Sequence, residues 1–131
     1  MTILVTGAAG FIGAMLSTAL LKRGDSVVGL DNLNHYYDVA LKEARLERLN
    51  SYSEFHFVKK DISDRQGLES LFGAYQFRAV VHLAAQAGVR YSIENPSAYV
   101  DSNLVGFGTV SYTHLRAHET LRYIVCRLML E

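Results

Sequence analysis

Three spaced glycines near the start of the chain constrain its fold more than any other feature. Gly7, Gly10 and Gly13 follow a short apolar run, and a helical pattern begins directly after Gly10. In that setting the first glycine permits a tight turn, the second lets backbone approach a pyrophosphate, and the third lets helix and strand pack closely. The start of the helix, at Phe11 and Ile12, offers free N–H groups to phosphate. The motif therefore predicts a dinucleotide site at these five residues.

Strand-like and helix-like segments alternate along the rest of the chain. Short apolar runs indicate strands, and apolar residues at intervals of three or four indicate helices. The predicted strands are Thr2–Thr6, Ser26–Leu30, Glu54–Val58 and Ala79–Ala84. The first two predicted helices are Phe11–Arg23 and Val39–Leu49. A capping box at Ser63 and Gln66 begins a third helix, which ends at Phe72. The fourth extends from about Ser97 to the region Gly106–Gly108.

This alternation is typical of right-handed βαβ units and a parallel sheet. We therefore expect an α/β fold: a truncated, Rossmann-type, doubly wound parallel sheet of about four strands in the order 3-2-1-4, with flanking helices. Such sheets normally continue with further strands. The fourth strand would then be an unpaired apolar edge, so we expect the chain to hold an incomplete domain.

Composition favours an ordinary globular protein. The 131 residues carry no formal net charge, and 50% are apolar and 20% charged, as in a single soluble domain. No cluster of basic residues indicates nucleic acid or a membrane surface as a partner. The first apolar run is too short for a signal peptide or a membrane span. Cys126 is the single cysteine, so no intrachain disulfide can form, and we expect a reducing, cytoplasmic location.

Polar residues after the second predicted strand are candidates for binding the cofactor. Asp31 lies about 20 residues beyond the glycine motif, where a carboxylate bonds the ribose hydroxyls of adenosine. A carboxylate there repels a 2′-phosphate, which favours NAD over NADP. A turn or helix-capping aspartate is the alternative interpretation. Asn32 and Asn34 are either further polar contacts or turn formers.

The ends of the third and fourth strands add further candidates. Asp61 and Ile62 follow the third strand, where adenine would lie, although Asp61 could equally be a loop carboxylate. The fourth strand ends in small and polar residues, Leu83, Ala84, Ala85 and Gln86. Small side chains there would let backbone approach the nicotinamide half of a cofactor.

Three other polar residues near this edge of the sheet have different expected roles. His82 lies inside an apolar strand, so a hydrogen-bonded core histidine is favoured over a catalyst. Arg90 either pairs with a phosphate or carboxylate of a ligand, as its planar fork allows, or is a surface arginine. Asn103, on the following helix, is a candidate for an amide contact with the cofactor.

Together these motifs resemble a known family. The glycine motif, Asp31-Asn-Leu-Asn34, His82-Leu-Ala-Ala85 and Asn103 resemble the extended short-chain dehydrogenase/reductases, the NAD-dependent epimerases and dehydratases of nucleotide sugars. Segments 31–38, 41–46 and 85–92, with Glu94-Asn-Pro96, look more narrowly like the UDP-glucuronate 4-epimerases. The resemblance extends from Met1 to about Thr109.

The resemblance implies an isomerase of carbohydrate metabolism. Bound NAD would oxidise the C4 hydroxyl of UDP-glucuronate and return the hydride to the other face, giving UDP-galacturonate. The resemblance also implies a Tyr-x-x-x-Lys base and a homodimer that binds a UDP-sugar. None of the eight tyrosines here has lysine four positions on, so we expect an inactive cofactor-binding half. A sugar-nucleotide 4,6-dehydratase fragment and a non-catalytic NAD-binding module stay open as alternatives.

The last segment of the chain departs from the family. Val110–Glu131 resembles the translation of a transposase-type sequencing adaptor, and Ile124–Glu131 differs from that translation only at Ile124 and Met129. We therefore expect residues 1–109 to be the N-terminal part of an NAD-binding domain and residues 110–131 to be an artefactual tail.

The alternative for this segment is a genuine terminal helix. Five of its residues fall roughly on one helical face: Leu115, His118, Leu121, Val125 and Leu128. The segment also holds the possible metal ligands His114, His118 and Cys126. Because we interpret the segment as artefactual, we expect no metal site there.

Overall fold

The computed structural model describes residues 2–33, 38–85, 93–111 and 124–126. Five strands are present: β1 (Thr2–Thr6), β2 (Ser26–Asp31), β3 (Phe55–Lys59), β4 (Ala79–His82) and β5 (Ile124–Cys126). The α-helices are α1 (Phe11–Arg23), α2 (Val39–Asn50), α3 (Arg65–Ala74) and the short α4 (Pro96–Tyr99). A π-helical segment, Val100–Gly106, follows α4 and leads into helical residues 107–111.

The strands form one parallel sheet in the order β3-β2-β1-β4-β5. The predicted α/β fold with strand order 3-2-1-4 is thereby confirmed. Because the strands are parallel, the carboxyl ends of β1, β2 and β4 meet at one edge of the sheet. The chain order reverses direction at β1, and such a switch point is where doubly wound sheets bind ligands.

The predicted unpaired edge at the fourth strand is wrong. Val80, Val81 and His82 pair in parallel register with Ile124, Val125 and Cys126. An edge strand exposes a row of N–H and C=O groups, and a fifth strand satisfies them on one side of β4. The terminal helix considered for this part of the chain is also wrong for residues 124–126, which are extended.

The sheet separates two apolar clusters. Successive residues of a strand point to opposite faces, so Ile3 and Val5 enter one cluster and Leu4 enters the other. The first cluster, the α1–α2 cluster, packs those two helices against the sheet. The second, the α3 cluster, holds Phe77 and Val110, each about 1% exposed. Both faces of the central strands are therefore covered, which explains their continuous apolar sequences.

Two helix boundaries differ from the sequence prediction. Asp64, rather than Ser63, caps α3, because its carboxylate accepts the N–H of Gly67 at 3.1 Å. Ser63 instead donates its hydroxyl to Asp61 at 2.7 Å. Pro96 begins α4, where its missing N–H costs nothing. The predicted helix from Ser97 is α-helical only to Tyr99 before it becomes π-helical.

Within the described residues, no helix combines the length and apolarity needed to cross a bilayer.

His82 is the buried titratable group of β4, about 1% exposed. Its Nδ1 lies 2.7 Å from the hydroxyl of Thr6, and its ring packs against Phe107 with 5.7 Å between centroids. The predicted hydrogen-bonded core histidine is thus confirmed. Its Nε2 has no hydrogen-bond partner among the described residues. Burial lowers the pKa of His82 from 6.5 to about 4.

The pKa of His82 predicts an acid-dependent loss of stability. The folded state holds this imidazole neutral, so the unfolded chain binds a proton more readily. Its contribution to stability is complete above pH 6.5 and falls as the pH drops from 6.5 towards about 4. We expect His82→Gln to flatten the free energy of unfolding across this window, as measured by urea titration. An unchanged slope between pH 6.5 and 4 would contradict the assignment.

Candidate functional site

The glycine turn after β1 is tied to the end of β2. Gly7 has a φ of +72°, in the left-handed region that favours glycine. The N–H groups of Gly7 and Ala8 both donate to the carbonyl of Leu30, at 2.7 and 3.2 Å. The N–H of Gly10 then donates back to Gly7 O at 3.0 Å. The turn therefore has one backbone conformation, fixed against the neighbouring strand.

Gly7 and Gly13 are required by close backbone packing. A Cβ on Gly7 would lie 2.9 Å from the backbone N of Ala84 and from the carbonyl of Leu83. A Cβ on Gly13 would collide with the carbonyl oxygen of Gly7. These contacts bring α1 and the end of β4 against the turn. The two outer glycines are thus explained by the protein alone.

Gly10 differs from the other two glycines. Its φ of −73° and ψ of 170° suit any residue, and a Cβ there would approach only Gly7 O, at 3.2 Å. It is the N-cap of α1, and no side chain caps the helix. The first N–H groups of a helix need partners from outside the helix. The missing side chain at Gly10 leaves these N–H groups, at Phe11 and beyond, accessible to an anion.

Asp31 is buried at the end of β2, about 5% exposed. Its Oδ2 accepts the N–H of Ala9 at 3.1 Å, and its Oδ1 accepts the N–H of Leu33 at 2.8 Å. Leu33 has a φ of +55°, so the carboxylate holds an unusual backbone conformation. Asp31 therefore organises this turn, as the interpretation of a turn aspartate predicts. It also lies beside the glycine loop, as a contact with the adenosine ribose would require.

Asn32 and Asp61 lie together at the ends of β2 and β3. Burial raises the pKa of Asp61, but hydrogen bonds from the N–H and hydroxyl of Ser63 and from Asn32 outweigh it, and the net pKa is lowered. The carboxylate stays ionised and is partly occupied by these donors. Ile62 is buried in the α3 cluster, 5% exposed, so its side chain has a packing role.

Thr6 belongs to the candidate site but is not among the residues predicted from the sequence. Its buried hydroxyl accepts the N–H of Leu83 at 3.0 Å and the N–H of Ala84 at 3.2 Å. Both lone pairs are then used, so its proton goes to His82 Nδ1. One hydroxyl thus fixes the start of the loop that continues to Ala85. The sequence signal that could have indicated Thr6 is its position directly before Gly7.

Two cations of α2 also reach the site without having been selected from the sequence. Arg45 donates from Nη1 to the carbonyl of Ala9 at 3.1 Å, and its guanidinium lies over the ring of Phe11, 5.9 Å from the centroid. Lys42 places its ammonium 3.4 Å from Oδ1 of Asp31. The glycine loop is therefore supported by α2 as well as by β2.

The remaining predicted residues are placed less fully. Asn103 lies in the π-helical segment and is partly buried, as are Ala84 and Ala85 at the end of β4. Asn34, Gln86 and Arg90 lie outside the described residues. In the portions of the chain that the structure covers, no three His, Cys, Asp or Glu residues gather closely enough to hold a metal ion.

The family of the chain follows from a profile comparison. The profile of the family described as GDP-mannose 4,6 dehydratase matches residues 4–122. The chain belongs to this family. The resemblance to NAD-dependent epimerases and dehydratases inferred from the motifs is confirmed by this match.

Members of the family with curated names and solved structures are similar to the chain. UDP-glucuronate 4-epimerase 4 of Arabidopsis thaliana is 57% identical over 106 residues, which are 81% of this chain and 24% of that protein. The UDP-glucuronate 4-epimerase of Thermodesulfobacterium geofontis is 53% identical over 103 residues, 79% of this chain and 32% of that protein. The chain thus spans about a quarter to a third of the length of these relatives.

A solved structure agrees with the fold. A variant of UDP-glucuronic acid 4-epimerase from Bacillus cereus, in complex with UDP-4-deoxy-4-fluoro-glucuronic acid and NAD, superposes with a TM-score of 0.82 at 35% identity. The match covers 96% of this chain and 39% of that one.

Alanine at Gly10 and at Gly13 should have opposite consequences. Because Gly10 has ordinary dihedral angles and an added Cβ would meet only Gly7 O, at 3.2 Å, we expect Gly10→Ala to fold and to weaken dinucleotide binding at least about tenfold by blocking phosphate approach. Gly13→Ala should unfold the chain, since its Cβ meets fixed backbone. Circular dichroism and calorimetric titration with NAD measure both effects. Equal behaviour of the two variants would contradict the distinction.

Thr6→Val should destabilise the site through lost hydrogen bonds. The change leaves the N–H of Ala84 and the Nδ1 of His82 without their hydrogen-bond partner, while the N–H of Leu83 keeps its bond to the backbone carbonyl of Thr6. The cost should be on the order of 2–4 kcal/mol in the free energy of unfolding. Thr6→Ser keeps the hydroxyl and loses one methyl group, so it should cost only about 1 kcal/mol. Chemical denaturation compares the two. Equal losses would show that volume, not hydrogen bonding, decides.

Proposed function

We propose that this chain is the NAD-binding half of a UDP-glucuronate 4-epimerase. The observation that carries the proposal is the convergence of the open Gly10 turn, the buried Asp31 carboxylate and the Thr6-held loop at one sheet edge. The 57% identity to a UDP-glucuronate 4-epimerase supports the substrate assignment. The NAD and UDP-sugar in the similar Bacillus cereus structure support the ligands.

NAD fits the arrangement of this edge. The backbone N–H groups that follow Gly10, at Phe11, Ile12 and Gly13, would hold the pyrophosphate, and Gly7 would shape their approach. Asp31 would receive the adenosine ribose, with a carboxylate disfavouring a 2′-phosphate. Around these, the proposed cofactor contacts are Asn32, Asn34, Asp61, Ile62, Leu83, Ala84, Ala85, Gln86 and Asn103.

The chemistry of the proposed reaction divides between cofactor and protein. When bound, NAD would accept a hydride from C4 of the sugar and return it to the opposite face. The residues of this chain bind and orient the cofactor. Among them, Thr6 and Ala84 position the loop next to the nicotinamide half. Arg90 would bind the substrate through an anionic group. No Tyr-x-x-x-Lys pair occurs in the 131 residues, so this chain lacks the family's base.

A sugar-nucleotide 4,6-dehydratase is the second candidate, because the matching family profile is described by that activity. A chimera separates the two. Residues 1–109 would replace the matching segment of the Arabidopsis UDP-glucuronate 4-epimerase 4. We expect the chimera to convert UDP-glucuronate to UDP-galacturonate. A folded chimera that binds NAD but has lost this conversion would contradict the epimerase assignment.

Assembly and location are further proposals. We infer that the full-length parent protein is a cytoplasmic homodimer that acts on a UDP-sugar and needs neither nucleic acid nor a membrane. Residues 1–109 would be the N-terminal part of the NAD-binding domain, and residues 110–131 would be an adaptor-derived tail. Matches to two curated relatives span 106 and 103 residues, whereas the family profile extends to residue 122. Codons for the tail unrelated to a sequencing adaptor would contradict it.

The chain itself should bind NAD without turning over the sugar. Calorimetry with NAD should show one site per chain, because the pyrophosphate and ribose contacts are all within residues 7–62. An assay with UDP-glucuronate and NAD should show no UDP-galacturonate. Binding with no turnover is the expected result. Turnover above background would contradict the requirement for the missing Tyr-x-x-x-Lys pair, and absent binding would contradict the proposed function.

A further inference from the structure

Thr6 and His82 form a hydrogen-bonded pair across β1 and β4. They are register partners at the carboxyl ends of the two strands, and the Thr6 hydroxyl lies 2.7 Å from Nδ1 of His82. Side chains at opposite positions of neighbouring strands lie on the same face of the sheet and interact directly. Thr6 is 0% and His82 1% exposed, so this hydrogen bond is shielded from bulk solvent.

The direction of the hydrogen bond follows from the other contacts of the Thr6 hydroxyl. A hydroxyl has one proton and two lone pairs. The N–H groups of Leu83 and Ala84 donate to it at 3.0 and 3.2 Å, and they use both lone pairs. The proton therefore points to His82, and Nδ1 must be the unprotonated ring nitrogen. His82 is thus held as the tautomer that carries its proton on Nε2.

Only a neutral imidazole can complete this arrangement. A protonated Nδ1 is a donor, so the Thr6 hydroxyl would face three donors with two lone pairs, and its own proton would lose its acceptor. Burial disfavours the charged ring and lowers the pKa of His82 to about 4. The imidazole is therefore neutral, and the arrangement complete, at neutral pH.

Within the described part of the chain, the elements packed around His82 bring no charge to the ring. β1 and the rest of β4 hold no ionisable side chain. Asp101 of the π-helical segment is exposed, and Arg65 and Glu69 pair with each other on the exposed side of α3. Cys126, the register partner of His82 on β5, is a thiol, which carries no charge in acid. The proton of His82 itself therefore decides the arrangement.

Loss of the acceptor at His82 should release Ala84 rather than Leu83. The N–H of Leu83 has a second acceptor, the backbone carbonyl of Thr6, at 3.2 Å. For the N–H of Ala84, the Thr6 hydroxyl is the one acceptor among the described residues, and its bond is the longer of the two. Once the hydroxyl proton must turn elsewhere, it competes for a lone pair, and the weaker donor leaves.

We propose that His82 is a positioning residue: its neutral imidazole, acting through the Thr6 hydroxyl, holds the N–H of Ala84 inward and so fixes the loop beside the nicotinamide half of the cofactor. The role towards nicotinamide rests on the proposed NAD-binding function. The hold on Ala84 is a property of the chain alone. Acid should therefore loosen this loop and weaken cofactor binding while the rest of the sheet stays folded.

The first test compares two replacements of His82 at neutral pH. His82→Asn places an amide oxygen near the position of Nδ1 and keeps an acceptor, whereas His82→Phe keeps an aromatic ring against Phe107 without an acceptor. His56→Phe, at an exposed histidine of β3, is the matched control. NMR measures hydrogen exchange of the Ala84 N–H relative to that of the buried Val28, which corrects for global stability.

We expect this relative exchange to accelerate at least about tenfold in His82→Phe, because a hydrogen bond is lost. It should stay within about twofold of the unmodified chain in His82→Asn and in the control. Equal acceleration in His82→Asn and His82→Phe would show that ring packing, not the acceptor, holds the loop, and would overturn the inference. His82→Leu replaces His82→Phe if circular dichroism shows that variant unfolded.

The second test is the pH profile of the same exchange, corrected for the intrinsic pH dependence of amide exchange. In the unmodified chain, exchange of Ala84 relative to Val28 should rise as the pH falls from 6.5 towards about 4, because His82 binds a proton there. In His82→Asn the profile should be flat, since an amide does not titrate. Equal profiles in the two chains would overturn the inference.

Calorimetry with NAD and with ADP separates the inference from the function on which it rests. ADP lacks the nicotinamide half, so in His82→Phe the affinity for NAD relative to ADP should fall at least about threefold, and His82→Asn should restore it. Faster Ala84 exchange with an unchanged affinity ratio would overturn the role towards nicotinamide and leave the proposed function standing. A chain that binds neither NAD nor ADP would overturn the proposed function, whereas the exchange result would still decide the hold on Ala84.

Discussion

The backbone of the glycine turn is the constraint on which the site depends. Gly7 presses against the carbonyl of Leu83 and the N–H of Ala84 on one side, and bonds the carbonyl of Leu30 on the other. Three strand ends thus meet at one residue without a side chain. Thr6, directly before it, joins the same ends through its hydroxyl. Because these contacts involve backbone, the shape of the edge depends little on the side chains around it.

The balance of charge at this edge is set by a few buried groups. Asp31 is compensated by two N–H donors and one ammonium, and Arg45 bonds the Ala9 carbonyl that the turn exposes. Cations from α2 therefore surround a loop proposed to receive two phosphate charges. A site built this way combines local positive charge with a sequence of no net charge, which overall composition cannot reveal.

Much of the fold was predictable because it follows local rules. The glycine spacing, the apolar runs and the helical periodicity placed every strand from β1 to β4 within two residues of its observed ends. What was missed depends on tertiary contact. Lys42 and Arg45 lie 11 and 36 residues from the groups they bond, and no local pattern distinguishes them from solvated helix residues. Asp64, not Ser63, caps α3, and the sequence did not decide between them because both residue types are good helix N-caps. The pairing of β5 with β4 was missed because it joins segments far apart in sequence.

The two apolar clusters on opposite faces of the sheet have a thermodynamic consequence. Ile3 and Leu4 are adjacent in sequence, yet their side chains share no neighbours, because the backbone of β1 lies between them. Truncating both should therefore lower stability by nearly the sum of the single effects. Truncating Ile3 and Val5, which enter one cluster two residues apart, should deviate from that sum. Along this strand, neighbours in sequence are thus energetically independent, whereas residues two positions apart are coupled. The sheet separates two independently packed halves of one small domain.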